Sequence, residues 1–203
     1  MIYLVRHGQT EFNREDRVQG RVDSPLTELG RQQAAAMGER LKALMRDEGG
    51  DWTIEVSPLG RARQTAAIIA GITGLAEPRI EQRLIEVGYG VFEGFTREEL
   101  DARWPEFAGV NGIFGRAPGG EAFDDLSERV AGWLAEAGQR PPGLRTIAVT
   151  HAGVARTMRG LYLGLDVEAM RQMDKPQGVI FRLADGATER LECDPLPSAA
   201  LGG

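Results

Sequence analysis

Apolar residues in this chain fall into short runs that alternate with longer amphipathic stretches. Ile2-Tyr3-Leu4-Val5 is built mainly from β-formers and stops at Arg6, which predicts a buried strand over 2–5. A polar, highly charged turn region covers 8–26 and closes at Ser24-Pro25. Thr27 is placed to N-cap a helix reaching about Arg46, with Met37, Leu41, Leu44 and Met45 on one face and Gly49-Gly50 as its stop. A second strand is predicted over 53–56. Ser57-Pro58 has the form of an N-cap followed by proline at the first helical position, opening a helix over 59–71 with Arg61 in its first turn.

Residues 79–83 predict a third strand. The segment 84–95 places three glycines among apolar and acidic residues, a composition suited to a loop crossing a site. A short helix over 96–103 precedes Pro105, and 105–120 is Gly-rich and expected to be mobile. The strongest helical pattern is 121–137, where Phe123, Leu126, Val130, Trp133, Leu134 and Ala137 form one stripe that packs on the core. A strand over 146–149, a helix over 153–163 and a strand pair, 178–184 with 187–191 around Asp185-Gly186, complete the pattern. Strands alternating with helices imply an α/β layered domain with a largely parallel sheet. The expected organisation is one domain over 1–194 with a lid-like insertion at about 88–120, then a flexible tail over 195–203.

Composition narrows the function classes. The 203 residues are 42% apolar and 27% charged, ordinary for a globular protein. A net charge of −6 argues against general nucleic-acid binding, which leaves a basic footprint, but allows a local cationic pocket for an anionic substrate. The single cysteine, Cys193, excludes an intrachain disulfide framework and favours a reducing compartment, and no stretch approaches the length of a membrane span. A cytoplasmic location is expected, with no membrane partner; a homodimer is left open.

The chain has two histidines, and both follow an apolar run. Arg6-His7-Gly8 ends the first strand, and His151-Ala152-Gly153 follows Thr146-Ile-Ala-Val-Thr150. In open α/β sheets, ligands bind beyond the carboxyl ends of strands. Arg6, His7, Arg61, Glu86 and His151 all sit at such ends or in loops that can meet at one sheet edge. Guanidinium forks suit phosphate oxygens, a neutral imidazole can attack phosphorus, and a protonated carboxyl between apolar neighbours can supply the leaving group's proton. Glu86, between Ile85 and Val87, has such neighbours. Two histidines without an HxxxH or HxH pair, and no cysteine cluster, argue against a metal site, so no metal or cofactor is expected. GxSxG, Walker A and GxGxxG signatures are absent.

Four segments, LVRHGQTEFN (4–13), SPLGRARQT (57–65), LIEVGYGVFEG (84–94) and VTHAGV (149–154), resemble the histidine phosphatase superfamily, the branch holding cofactor-dependent phosphoglycerate mutases and related phosphatases. DSPLTELGRQQA (23–34) and APGGEAF (117–123) extend the resemblance across most of the chain. It implies a three-layer α/β sandwich, with a central mostly parallel sheet flanked by helices. It also implies that His7 is the phosphorylated nucleophile, a role the residues alone leave open between His7 and His151. By the same resemblance Arg6, Arg61 and His151 clamp the phosphoryl group, Glu86 acts as acid then base, Asn13 contacts phosphate, and Gln19-Gly20 lie where some relatives touch substrate. Thr10 could add a hydroxyl or simply cap a turn.

Departures from the mutase pattern favour a phosphatase acting on a small phosphorylated metabolite. Val87 stands where mutases carry a cation after the glutamate, Phe12 replaces a tryptophan, Gln19-Gly20 replaces Thr-Gly, and 103–119 lacks a double-arginine run. A mutase and a catalytically inert phospho-ligand binder are the alternatives; a binder would have no need of Glu86. Phe92, Phe95, Trp104, Phe107 and Phe114 either pack the lid onto the core or wall the pocket, with packing the favoured reading.

Overall fold

The first apolar run forms β1 (Ile2–Arg6), and its side chains feed two separate cores in a computed structural model of the chain. Ile2 and Leu4 enter one cluster, Tyr3 and Val5 the other. Both faces of the strand are therefore covered, which is why the run is continuous and not alternating. The structure describes residues 1–108 and 113–193. The expected tail over 195–203 and the centre of the expected lid, 109–112, lie outside the described residues.

Five further strands complete one sheet: β2 (Asp51–Val56), β3 (Arg79–Ile80), β4 (Leu144–Thr150), β5 (Val179–Ala184) and β6 (Ala187–Glu192). Their order is β3-β2-β4-β1-β5-β6. The first four run parallel, while β5 is antiparallel to β1 and β6 to β5, so the sheet is mixed with a parallel centre. The β5–β6 connection turns through Asp185 (φ 51°) and Gly186 (φ 74°), the left-handed pair a two-residue hairpin needs.

Seven α-helices surround the sheet among the described residues: α1 (Glu11–Arg14), α2 (Glu28–Glu48), α3 (Gly60–Thr73), α4 (Arg97–Arg103), α5 (Phe123–Gly138), α6 (Ala152–Tyr162) and α7 (Val167–Gln172). Met37, Leu41 and Leu44 of α2 join Ala62, Ala66 and Ile69 of α3 over the Tyr3 face. Leu126, Val130, Trp133 and Ala137 of α5 join Val154, Ala155 and Met158 of α6 over the opposite face. This makes the three layers. Each fully buried Leu, Val or Ile contributes about 1.5–3 kcal/mol relative to exposure. None of the described helices is long and apolar enough to cross a membrane.

Several boundaries differ from the sequence expectations for physical reasons. The polar region 8–26 contains α1, nucleated by a capping box in which Thr10 and Asn13 bond each other's backbone N–H. Thr10 is therefore a cap residue. The third strand pairs over only two residues before a 3-10 turn at Gln82–Leu84. The helix after β2 starts at Gly60, with Leu59 at the N-cap position and no side-chain cap; Ser57, expected as the cap, accepts only from Leu59 N–H at 3.3 Å and turns its hydroxyl to His151 Nε2 at 2.6 Å. Helix α7 follows its own cap, Asp166, and was absent from the apolar pattern because only Met170 in it is buried.

In the segment expected to be lid-like, Phe92 is fully buried against Trp104 and Phe107 with ring centroids 5.0 and 5.2 Å away, and Phe95 meets Trp104 at 5.6 Å. Together with Val18, Leu100, Ile113 and Ala117 they make a small third core. Four of the five lid aromatics thus pack as expected, whereas Phe114 joins the main core and also lines the cleft described below.

The start of α2 is pressed onto the turn after His7. A Cβ on Gly8 would lie 2.1 Å from the Gly30 carbonyl oxygen, and one on Gly30 would lie 2.0 Å from that of Gln9. Gly30→Ala is expected to destabilise the protein by about 2 kcal/mol or more in urea unfolding, although alanine is favoured over glycine in a helix by about 1 kcal/mol. A neutral or stabilising effect would show that this contact can relax.

Candidate active site

Strand register brings the two histidines together. In the β1–β4 pair Arg6 stands opposite Thr150, and the His7 N–H donates to the Thr150 carbonyl at 3.0 Å. His7 and His151 each occupy the next position, and their rings lie 5.1 Å apart with a 58° tilt. Strand β2 ends one residue short of β1. Val56 pairs with Val149, Ser57 N–H donates to the Val149 carbonyl at 3.0 Å, and Ser57 Oγ lies 2.6 Å from His151 Nε2.

His7 is 2% exposed, and its Nδ1–H donates to the Gly8 carbonyl at 2.8 Å. That bond leaves the Nε2 lone pair on the other side of the ring, where Arg61 Nε donates to it at 3.3 Å. Burial, then Arg61 and Arg6, hold the His7 pKa well below its ordinary value. His151 is likewise held low by burial, Arg61, His7 and Arg6. Both rings are thus neutral bases at neutral pH. His151 Nδ1 is buried without a hydrogen-bond partner.

Arg61 is 1% exposed in the first turn of α3, with its donors committed. Nη2 donates to Gly20 O at 2.6 Å, and Nη1 to Val22 O at 2.8 Å and Asp23 Oδ1 at 3.1 Å. The loop over 20–23 is folded around this guanidinium. Gly20 has φ +54°, and a Cβ there would meet Glu93 Oε1 at 2.1 Å, so glycine is needed at this position. Arg6 reaches the Lys175 carbonyl through Nη1, and its Nε is buried without a partner. Burial, partly offset by Glu86, lowers the Arg6 pKa to about 10, which leaves the group cationic.

Glu86 is 5% exposed and docks on the amino end of α6. Its Oε2 accepts from Gly153 N–H at 3.2 Å, and its Oε1 from Val154 N–H at 3.3 Å and Val87 N–H at 2.9 Å. Helix amino ends leave such N–H groups without intrahelical partners.

One cleft of about 180 Å³ is lined by Arg6, His7, Asn13, Gln19, Gly20, Arg61 and Glu86. These are the residues anticipated from the sequence, except that His151 lies behind the lining, against His7. Asn13 Oδ1 accepts from Gln177 Nε2 at 3.0 Å, and Gln19 Oε1 is buried without a partner. Among the described residues no three His, Cys, Asp or Glu side chains cluster in a metal-holding arrangement.

The sequence reading missed the Ser57 hydroxyl, the Asp23 carboxylate on Arg61, Gln177, and further cations in the cleft: Arg17, Arg97, Arg156 and Lys175. Topology supplies the missing signal for the 174–178 segment. Strand β5 runs antiparallel to β1, so it begins where β1 ends, and the residues before it abut the site.

Residues 2–188 match the family model of the histidine phosphatase superfamily (branch 1), and the chain belongs to that superfamily. It is 40% identical over 178 residues to a Salmonella paratyphi C protein named probable phosphoglycerate mutase GpmB, covering 85% of this chain and 79% of that one. Bacillus stearothermophilus YhfR superposes with a TM-score of 0.76 at 30% identity, covering 97% of this chain and 98% of the other. Mycobacterial glucosyl-3-phosphoglycerate phosphatase Rv2419c superposes with a TM-score of 0.77 at 28% identity, covering 96% of each.

Acid should unfold this protein through its imidazoles. The unfolded chain takes up protons on both histidines near pH 6.5, while the folded chain refuses them until well below. Stability present above about pH 6.5 is therefore lost as pH falls, by up to about 2.7 kcal/mol per pH unit for two groups. Urea unfolding at pH 7.5, 6.5 and 5.5 checks this; equal stability at all three would contradict the burial of the two rings.

Proposed function

We propose that the protein is a metal-independent phosphatase that hydrolyses small phosphomonoesters through a phosphohistidine on His7. The observation that carries this reading is the neutral His7 imidazole, whose Nε2 lone pair meets Arg61 Nε at 3.3 Å while the second imidazole stands 5.1 Å away. In the first step Nε2 attacks phosphorus and the P–O ester bond breaks. The leaving alkoxide takes its proton from the protonated form of Glu86. In the second step Glu86 removes a proton from water, the water oxygen attacks phosphorus, and the P–N bond breaks to release phosphate and restore His7. Arg6 and Arg61 supply fixed positive charge to the phosphoryl oxygens, a contribution that preorganised donors make without reorganisation.

Ser57 sets the tautomer of His151 in this reading. Its hydroxyl donates to Nε2, which leaves the imidazole proton on Nδ1, the nitrogen without a protein partner and the one to donate to a phosphoryl oxygen. Asn13, Gln19 and the Gly20 backbone border the same space and complete the phosphate end of the cleft.

The phosphatase assignment draws on Val87, which is buried in the core and brings no charge to the position after the acid. It also draws on the name of the Rv2419c neighbour. The mutase reading is favoured by the name of the Salmonella relative and by the extra cations of the cleft. Conversion of 3-phosphoglycerate to 2-phosphoglycerate with added 2,3-bisphosphoglycerate, without net phosphate release, would replace hydrolysis by mutase action.

Phosphate release from p-nitrophenyl phosphate in the presence of EDTA is expected, with a loss of about 1,000-fold or more in His7→Ala. Glu86→Gln should cost alkyl phosphates far more than p-nitrophenyl phosphate, whose leaving group needs little protonation. No turnover by wild type across a broad phosphoester panel would make the protein a binder. Ser57→Ala should lower kcat/KM by about tenfold or more, and Ser57→Thr should restore it, because only the hydroxyl orients the ring. Equal losses in both variants would make Ser57 a packing residue.

A further inference from the structure

The segment between α7 and β5 grips the site from outside the parallel strands. Its Lys175 carbonyl accepts from Arg6 Nη1, and the side chain of Gln177 reaches two further oxygens. Gln177 Nε2 donates to the His7 carbonyl at 3.3 Å and to Asn13 Oδ1 at 3.0 Å. A glutamine amide nitrogen carries two N–H donors, so this fork satisfies both and fixes which way the amide faces.

Asn13 is oriented by the same logic. Its Oδ1 accepts from the Thr10 backbone N–H at 3.2 Å as well as from Gln177. A backbone N–H only donates, so the amide oxygen faces it and the NH2 group turns the other way. Nδ2 has no hydrogen-bond partner among the described residues, and Asn13 lines the same cleft as His7.

Packing does not set the position of this amide. Helix α1 has four residues and buries none of them, and a single turn has little stability of its own. Hydrogen bonds hold it instead. Phe12 N–H donates to Ser24 Oγ at 3.0 Å, Glu11 N–H donates to the Pro25 carbonyl at 3.1 Å, and Gln177 ties Asn13 to the His7 main chain. Because one nitrogen bonds both oxygens, the Asn13 amide and the residue carrying the nucleophile are kept at a set separation.

We propose that Gln177 is a positioning residue, which fixes the Asn13 amide so that Nδ2 donates to an oxygen of the phosphoryl group at His7. The inference rests on the phosphatase reading and adds to it a residue that acts through another. Gln177 itself is absent from the residues lining the cleft. A donor already aimed at the phosphoryl oxygen stabilises charge there without having to reorient during the reaction.

A double-mutant cycle tests this with wild type, Gln177→Met, Asn13→Ala and the double variant. Two quantities are measured at each corner: affinity for inorganic phosphate by titration calorimetry, and kcat/KM for p-nitrophenyl phosphate. Methionine keeps the length of glutamine and removes both donors. Gln177→Met is expected to weaken phosphate binding and kcat/KM by about tenfold or more. In the Asn13→Ala background the same substitution should change neither by more than about twofold. Gln177→Glu, of the same shape and again without donors, repeats the cycle should the methionine variant not fold. Its added charge acts in both Asn13 backgrounds and cancels.

Additive losses would overturn the positioning role and leave the phosphatase reading standing. So would a Gln177→Met protein that melts at a lower temperature yet binds phosphate as wild type does, which would make Gln177 a packing residue. Wild type that binds phosphate without hydrolysing any phosphoester would end the phosphatase reading, and the affinity cycle alone would then uphold or overturn the role of Gln177. Wild type that neither binds phosphate nor hydrolyses p-nitrophenyl phosphate would sink both together.

Discussion

The site depends on the register of three parallel strands. Arg6 faces Thr150 across β1 and β4, so the next residues, His7 and His151, reach one edge at one level, while Val56 faces Val149 across β2 and β4, so Ser57 stands one residue short of them, level with Thr150. Side chains alternate faces along a strand, and a slip of one residue would send every apolar side chain of β1 to the wrong core. The packing that keeps Ile2 and Leu4 on one face and Tyr3 and Val5 on the other therefore also aligns the two imidazoles. No separate device is needed to hold the imidazoles together.

Around this edge the protein keeps positive charge out of water. Removing a guanidinium from solvent is expensive, and a partner that fully neutralised Arg61 would remove the positive charge it brings to the cleft. The compromise is visible in its contacts. Gly20 and Val22 offer carbonyl oxygens, which satisfy the donors without cancelling the charge, while Asp23 is 41% exposed at its side chain and so screened by solvent. Burial, and after it this same charge, hold both imidazole pKa values low, so Arg61 acts on the two rings as well as on the cleft.

The legible parts of the fold were those with strong local signals. The 2–5 run, the α5 stripe and the Asp185-Gly186 hairpin each follow from a pattern within one segment, and they stand where the sequence places them. Arg6, His7, Arg61 and Glu86 were legible because their motif segments mark strand ends, and they share one cleft. Ser57 was misread because Ser-Pro before a helix is a common cap, and only the neighbouring strand reveals that an imidazole competes for its hydroxyl. Helix α7 was invisible because it buries little, and Lys175, Arg97 and Arg156 because their meeting depends on strand direction and lid packing, neither of which leaves a mark in local sequence.

The imidazoles and the outer cations of the cleft are built on different parts of the chain, and this has a structural cause. Arg6, His7 and His151 sit at the ends of central strands, where both faces are packed and little can vary without loss of the core. Arg97 opens α4, whose start is fixed by the Thr96–Glu99 capping box, in a segment with its own small core around Phe92. Lys175 sits on the connection into an antiparallel strand beyond the parallel centre. Connections tolerate change better than packed strands. Substitution at Arg97 or before β5 can thus change the charge lining the cleft while the strand ends keep the two imidazoles and Arg6, and the first turn of α3 keeps Arg61, in place.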